Sequence, residues 1–434
     1  MELVILVDLF IKIGIFSLSF RSTSILTFMR ILHTSDWHLG KRLDDFSRLP
    51  EQVEVLDEII HIANEHNVDA VLIAGDLFDT FNPSTEAVDL FYRSLKKLTN
   101  DGKRPVIAIA GNHDSPDRIE SPDPLARECG IIFVGYPNTV VPPFRLDSGF
   151  EVLHASEGFL EVRLPRCNVP LRILHTSYAN EFRMKTFLGS ENNEQELRML
   201  LANRWQEQVL QYCDAKGCNL LVSHLFFIKE GADIPDEPDD EKPILHVGGA
   251  QAIYSGNVPN GLQYVALGHL HRKQTIDVQP CPIIYSGSPL SYSFAETNQQ
   301  KYVMLIDLEP GQEAAITEIP LSKGRRLLRY RAEGVDKAVE WLTANEDALV
   351  ELTLVSDTYI TAQERKLLNE VHPNIINIYP EVTIAAQNRK DEGQVDLTKS
   401  PEALFRDYFM HAKGQEPSES LMMLFREILA EEEE

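Results

Sequence analysis

Five short clusters carry side chains able to hold metal ions, and each follows an apolar run that reads as a strand. In DWH, Asp36 and His38 stand at i and i+2. On an extended backbone both point the same way, so a carboxylate and an imidazole can grip one cation. Alone this spacing is a weak signal, more often a plain turn. In GDLFD, Asp76 is the first side chain out of the run DAVLIA. Two cations about 3.5 to 4 Å apart repel, and a carboxylate shared between them offsets that repulsion, so Asp76 is the candidate bridge. Gly75 lets the chain turn sharply there; a helix-capping aspartate is the structural alternative. In GNHD, Asn112 offers an amide oxygen to a hard cation and His113 brings a titratable group to the same cleft. A histidine beside an anionic leaving group can protonate it once its ring is oriented, a task open to Asp79 or Asp114. His224, in LLVSHL, is a lone histidine and by itself reads as structural. In GHLH, His269 and His271 again stand at i and i+2, a stronger pattern because neutral imidazole is the commonest transition-metal donor.

Together the clusters supply two carboxylates, one amide and four imidazoles. Mixed hard oxygen and borderline nitrogen donors favour Mn²⁺, Fe²⁺ or Zn²⁺ over Mg²⁺ or Ca²⁺. The expected chemistry is hydrolysis of a phosphate ester at a site holding two divalent metal ions.

Such a site needs rigid strand ends. RILHTS, DAVLIAG, PVIAIAG, LRILHTS, CNLLVS, QYVALG and PIIYSG are short, apolar and end in turn-forming residues. Between the first two, Val53, Leu56, Ile59, Ile60 and Ala63 share one helical face. Between the second and third, Ala87, Leu90, Phe91, Leu95 and Leu98 do the same. This alternation predicts a layered α/β domain with its loops gathered at the carboxyl ends of the strands. Residues 321–388 read as a separate strand–helix–strand–helix–strand unit behind the polar lead-in LSKGRR. After the charged stretch NRKDEGQVDLTKS come two apolar helical windows, PEALFRDYFM and LMMLFREILA, which suit packing on their own domain or on a partner.

The 434 residues carry 41 Lys and Arg against 66 Asp and Glu, a formal charge of −25. That balance opposes unaided attraction to DNA, since a duplex rewards basic side chains through counterion release. The densest acidic run, residues 229–242, reads as a solvated loop. Five cysteines without paired spacing fit a reducing compartment better than a disulfide framework. Residues 1–28 resemble a signal sequence or membrane anchor, but Asp8 and Lys12 interrupt them, no A-x-A-like cleavage site follows, and Met29 directly precedes the first strand. The expectation is translation from Met29, with the upstream stretch a start-site artefact or an apolar extension, and a cytoplasmic protein without a membrane span, nucleoid-associated when on DNA.

The ordered series DWH, GDLFD, GNHD, SHL and GHLH resembles the calcineurin-type metallophosphoesterase family over residues 30–308. HTSDWHLG, AGDLFDT, AGNHDS, ALGHLH and YSGSPLSYSF further resemble its Mre-type nuclease branch, which includes the bacterial SbcD nucleases. The resemblance implies an α/β fold in which helices flank two β-sheets, a nuclease domain over 29–320, a smaller α/β capping domain over 321–390, and a linker with C-terminal partner-binding helices over 391–434. It implies one ion on Asp36, His38, Asp76 and His271, another on Asp76, Asn112, His224 and His269, and His113 as the acid for the leaving oxygen. Asp79 would orient His113 as its counterpart does in phosphatases of the family; archaeal and eukaryotic Mre nucleases carry a histidine there instead. Attack is in line, without a covalent enzyme intermediate, and Mn²⁺ is the expected metal. The implied activity is 3′–5′ exonuclease action on duplex ends and endonuclease action on hairpins or single strands, in DNA repair, recombination and replication. The implied partners are DNA, an SbcC-like coiled-coil ATPase and a second copy of the chain in a heterotetramer. ATP would act only through that ATPase, because no G-x-x-x-x-G-K-[ST] occurs in the sequence. The helix after GDLFD either serves dimerisation or simply covers the sheet.

Lys41, Arg42, Arg118, Arg272 and Lys273 lie just beyond the motifs and are candidates for DNA phosphate contacts, or are plain solubilising charges. Ser286, Gly287, Ser288 and Pro289 form a backbone-lined wall or an ordinary turn. A phosphodiesterase or phosphatase acting on a non-DNA substrate is the competing reading, because the same metal pair serves both. A third, a scaffold that has lost its metals, is disfavoured by the intact ligand set.

Overall fold

The computed structural model describes residues 28–185, 193–232, 252–356, 360–382, 400–413, 417, 421–423 and 425. Residues 1–27, most of the acidic run at 229–242 and most of the second terminal window lie outside them. The chain divides into two compact units, with the break between Gly324 and Arg325.

The first unit is built on two mixed sheets. In the six-stranded sheet the parallel strands Met29–Thr34, Ala70–Ala74, Val106–Ile109 and Ile131–Val134 lie side by side, and Tyr302–Leu308 and Ala315–Pro320 extend it antiparallel beyond Met29–Thr34. In the seven-stranded sheet Pro170–Thr176, Cys218–His224, Tyr264–Gly268 and Ile283–Tyr285 are parallel. Antiparallel strands Gln274–Asp277 on one side, and Phe159–Arg163 and Glu151–Ser156 on the other, complete it. All seven strand segments read from the sequence are strands. The outermost antiparallel strands, Ala315–Pro320, Gln274–Asp277 and Glu151–Ser156, are not legible in the sequence, because such largely exposed segments carry no continuous apolar run.

The sheets pack face to face through Ile31, Leu72, Ile107, Ile173, Val222 and Tyr264. The outer face of the first is covered by the helices Leu49–Glu65 and Thr85–Leu98 through Leu56, Ile59, Phe91 and Leu95. The outer face of the second is covered by Asn193–Tyr212 through Leu201 and Trp205. The first unit is therefore the expected helix-flanked double sheet. One residue departs from the helical face read from the sequence: Val53 is 42% exposed, while Glu51 and Gln52 point inward. Those two polar side chains are satisfied there, Glu51 by Arg48 at 2.6 Å and Gln52 by the backbone around His38, so the buried face is rotated toward them.

The second unit holds three parallel strands, Leu327–Glu333, Leu349–Ser356 and Ile375–Val382, joined by helices Val335–Thr343 and Ala362–Val371. Their shared core is Ala338, Leu342, Val350, Leu352, Leu354 and Leu368. Thr361 and Glu364 form a reciprocal cap that starts the second helix. Helix Pro401–Lys413 follows, with Phe405 stacked on Phe425 at 4.1 Å and Tyr408 68% exposed. Among the described residues no helix is long and apolar enough to cross a membrane.

Candidate metal centre

All five clusters meet at the carboxyl ends of parallel strands. Asp36, Asp76 and Asn112 come from the first sheet; His224, His269 and His271 come from the second. The first two loops are zipped by main-chain bonds from Asp36 N–H to Gly75 O and from His38 N–H to Asp76 O, both 2.9 Å. Asp36, His38, Asp76 and His269 all have positive φ, at 53°, 43°, 48° and 111°. Left-handed backbone at four non-glycine residues is unfavourable, and it persists where surrounding bonds over-determine the loop. Gly75 is itself at φ +90°, and a Cβ there would overlap the His224 ring, so the sharp turn expected of it also makes room for a ligand from the other sheet.

Donor atoms of Asp36, His38 and His271 lie within 4.8 Å of one another, and so do those of Asp76, His224 and His269, and of His38, Asp76 and His113. Asp76 Oδ2 stands 3.5 Å from His38 Nε2 and 3.3 Å from His224 Nε2, between the groups. Asn112 Oδ1 is 3.0 Å from both His224 Nε2 and His269 Nδ1. All seven expected ligands are thus brought together with His113.

The electrostatics are those of a crowded, buried cluster. Burial raises the Asp36 carboxyl to about 6, against the pull of His224 and His271. Burial also opposes ionisation of Asp76, but His224 and His113 outweigh it and hold this carboxyl well below its usual range. Burial lowers His38 to about 4 and His269 to about 3, so both imidazoles stand ready as neutral donors. For His224 burial is outweighed by Asp76 and Asp36, which raise it to about 9. The donor set fits divalent cations. His38 Nε2 and His271 Nε2 face each other at 3.0 Å, and His269 Nε2 is buried without a hydrogen-bond partner. The neutral imidazoles of His38 and His269 converging with these carboxylates suit a shared cation, which on binding would displace the proton held by His224.

The role expected of Asp79 needs correction. Its carboxylate does not reach His113: it lies 3.6 Å from His38 Nδ1 and 3.0 Å from Lys41 Nζ. The Asp79 main-chain carbonyl instead accepts from His113 Nδ1 at 2.8 Å. Because a carbonyl only accepts, that bond puts a proton on Nδ1 and leaves Nε2 as the atom that can exchange one. Asp114, the other candidate orienter, is occupied with the amides of Leu77, Phe78 and Gly111 at 2.7–3.0 Å, stitching the GDLFD and GNHD loops together.

Several supporting residues escape a reading of the sequence. Glu296 Oε1 stands 3.3 Å from His271 Nδ1 and accepts from the Tyr292 amide at 3.0 Å, and its other oxygen pairs with Lys301. Burial opposes its charge, but Lys301 and His271 overcome this and lower Glu296 to about 2. Gln52 holds the His38 carbonyl at 2.8 Å, and Ser35 donates to Asp36 at 2.5 Å. The 286–289 segment is irregular chain tied to the site: Ser286 Oγ is 2.8 Å from Ser35 Oγ, and the Ser288 amide donates to His271 O at 3.1 Å. Metal-ligating histidines depend on such partners for ring orientation, so Glu296→Ala should weaken Mn²⁺ affinity about 10- to 100-fold in a calorimetric titration. Unchanged affinity would confine Glu296 to bracing Lys301 and the turn at 292–293.

Of the basic candidates, Lys41 pairs with Asp79, Arg42 with the Asp45 carbonyl, Arg118 with Asn82 at 3.0 Å and Lys273 with Glu318 at 2.5 Å. Arg272 is exposed.

The model of the calcineurin-like phosphoesterase family matches residues 29–273. The chain is 35% identical over 418 residues to the SbcD component of the SbcCD nuclease of Bacillus subtilis, covering 94% of this chain and 99% of that protein. The same component from Rhodobacter capsulatus and from Escherichia coli is 33% and 29% identical, over 73% and 87% of this chain and 75% and 89% of theirs. With the five motifs assembled at one site and likeness extending over almost its whole length, the chain belongs to the calcineurin-like phosphoesterase family and, within it, to the SbcD group.

Proposed function

We propose that this chain is the nuclease component of an SbcCD-type complex and hydrolyses DNA phosphodiesters with two divalent metal ions, Mn²⁺ in the cell. The observation that carries this reading is the convergence of carboxylate, amide and imidazole donors from both sheets around Asp76. The naming of the relatives as components of the SbcCD nuclease favours DNA over other phosphate esters. Asp36, His38, Asp76 and His271 would hold one ion, and Asp76, Asn112, His224 and His269 the other. When bound, the ions supply Lewis-acid neutralisation of phosphate charge and an acidified water.

The protein groups do the rest. Asp76 sits between the two imidazole groups and keeps its charge. His113, with Nδ1 donating to the Asp79 carbonyl, presents Nε2 to the leaving oxygen and delivers a proton as the ester bond breaks. Lys41 beside Asp79, and exposed Arg272, are proposed to meet the phosphate backbone, with Arg42, Arg118 and Lys273 released from their surface partners at small cost.

The reaction is proposed to be 3′–5′ exonucleolytic on duplex ends and endonucleolytic on hairpins and single strands. With its −25 charge, the chain should take much of its DNA affinity from an SbcC-like ATPase, in a heterotetramer containing two copies of this chain. Residues 321–390 would cap the DNA, and 391–434 would bind the ATPase. The exposed Tyr408 and Met410 on helix Pro401–Lys413 suit a partner surface. Deleting residues 401–434 should abolish co-purification with the ATPase and leave Mn²⁺-dependent hydrolysis of a small phosphodiester within about 2-fold of the intact chain, a change of under ~0.5 kcal/mol. Retained co-purification would overturn that assignment. The function itself is tested by Mn²⁺-dependent cleavage of an end-labelled hairpin duplex, with and without the ATPase and ATP. Hydrolysis of a small phosphodiester without any DNA cleavage would favour the phosphodiesterase alternative.

A further inference from the structure

Arg183 lies in the helical turn Glu181–Met184, whose Asn180 cap accepts the Arg183 amide at 2.8 Å. It is 6% exposed, and the carboxylates of Asp114 and Asp76 act on it through space, while among the described residues none forms an ion pair with it. Its guanidinium donors go to one loop. Nη1 donates to Gly111 O at 2.7 Å, and Nη2 to Asn112 O at 3.3 Å and Asp114 O at 2.8 Å. The group also sits over the Tyr178 ring, 5.0 Å from its centroid, and the Tyr178 amide donates to Ala110 O at 2.9 Å.

Burying a cation against neutral carbonyls is costly, so packing alone does not account for an arginine here. The fork geometry is the useful property, because one planar group can hold several carbonyls in fixed relation, which an ammonium cannot. The two carbonyls held by Nη2 belong to the residues immediately before and after His113. Asn112 is independently anchored through its amide to His224 and His269. The His113 ring has one comparable anchor, the Asp79 carbonyl.

We propose that Arg183 is a positioning residue for His113, fixing the peptide planes on either side of it so that the ring stays aimed at the leaving oxygen. This rests on the reading of His113 as the acid. Loss of aim costs rate only where the leaving group needs a proton. A deoxyribose alkoxide needs one; 4-nitrophenolate departs without one.

The test compares the full-length protein with Arg183→Lys, Arg183→Met and His113→Ala on an end-labelled duplex and on bis(4-nitrophenyl) phosphate, both with Mn²⁺. A misplacement of about 1 Å can cost about 100-fold. Arg183→Met should therefore lose about 100-fold in kcat on DNA with KM unchanged, and Arg183→Lys about 10-fold, each at least ten times its loss on bis(4-nitrophenyl) phosphate. Amide hydrogen exchange across residues 110–116 should quicken, and calorimetric Mn²⁺ affinity should hold. Parallel losses on both substrates together with weakened Mn²⁺ binding would make Arg183 a brace of the metal centre and overturn the proposal. Unchanged cleavage of DNA would do the same. If Arg183→Met does not fold, the charge-preserving Arg183→Lys decides. Should His113→Ala lack the leaving-group split, the reading of His113 itself fails; a split in His113→Ala but not in Arg183→Lys overturns the role of Arg183 alone.

Discussion

Replacing His113 by alanine should lower Mn²⁺-dependent cleavage of a DNA hairpin by about 10²- to 10⁴-fold, the usual contribution of a placed general acid. Mn²⁺ affinity should barely change, because the ring already has a partner in the Asp79 carbonyl and lies outside the two ligand sets assigned above. His113→Gln is a useful companion, since its amide can keep a hydrogen bond but cannot deliver a proton. Cleavage by His113→Ala at the rate of the unaltered protein would mean that water protonates the leaving oxygen. Asp79→Ala should then be milder than His113→Ala, because it removes the carboxylate beside His38 and Lys41 and keeps the carbonyl that orients His113.

Asp76→Ala should be the most damaging substitution, with DNA cleavage down by at least about 10³-fold, corresponding to loss of several kcal/mol of charge stabilisation. Its effect should differ in kind from that of His113→Ala. Asp76 Oδ2 faces His38 and His224, and Oδ1 accepts the His113 amide at 2.9 Å, so one truncation unsettles both donor groups and the acid's backbone. Calorimetry should accordingly report weakened binding and fewer than two Mn²⁺ per chain. Two ions bound with undiminished affinity would remove Asp76 from its bridging place.

The candidate ligands are legible in the sequence because each motif follows a continuous apolar run, and such runs become buried parallel strands whose ends coincide in space. The supporting shell is not. Glu296 lies 25 residues from His271 and Arg183 about 70 from His113, and nothing in either local pattern marks a pairing that arises only when the chain folds back. Asp79 shows a different limit: the letters identify a residue beside His113 and cannot tell its carboxylate from its carbonyl. Val53 leaves the expected buried face for a related reason, since apolar periodicity does not anticipate that Gln52 turns inward to hold the His38 loop.

The division of ligands between two sheets bears on how the enzyme comes into being. Asp36, His38, Asp76 and Asn112 are synthesised early, and His224, His269 and His271 more than a hundred residues later. Strand Tyr302–Leu308, which flanks Met29–Thr34, is made later still. A nascent chain bearing only the first four candidate donors has no complete set for either proposed ion. On the ligand sets proposed above, hydrolytic competence would therefore arrive only with the docking of the two sheets, and a half-made polypeptide would be inert.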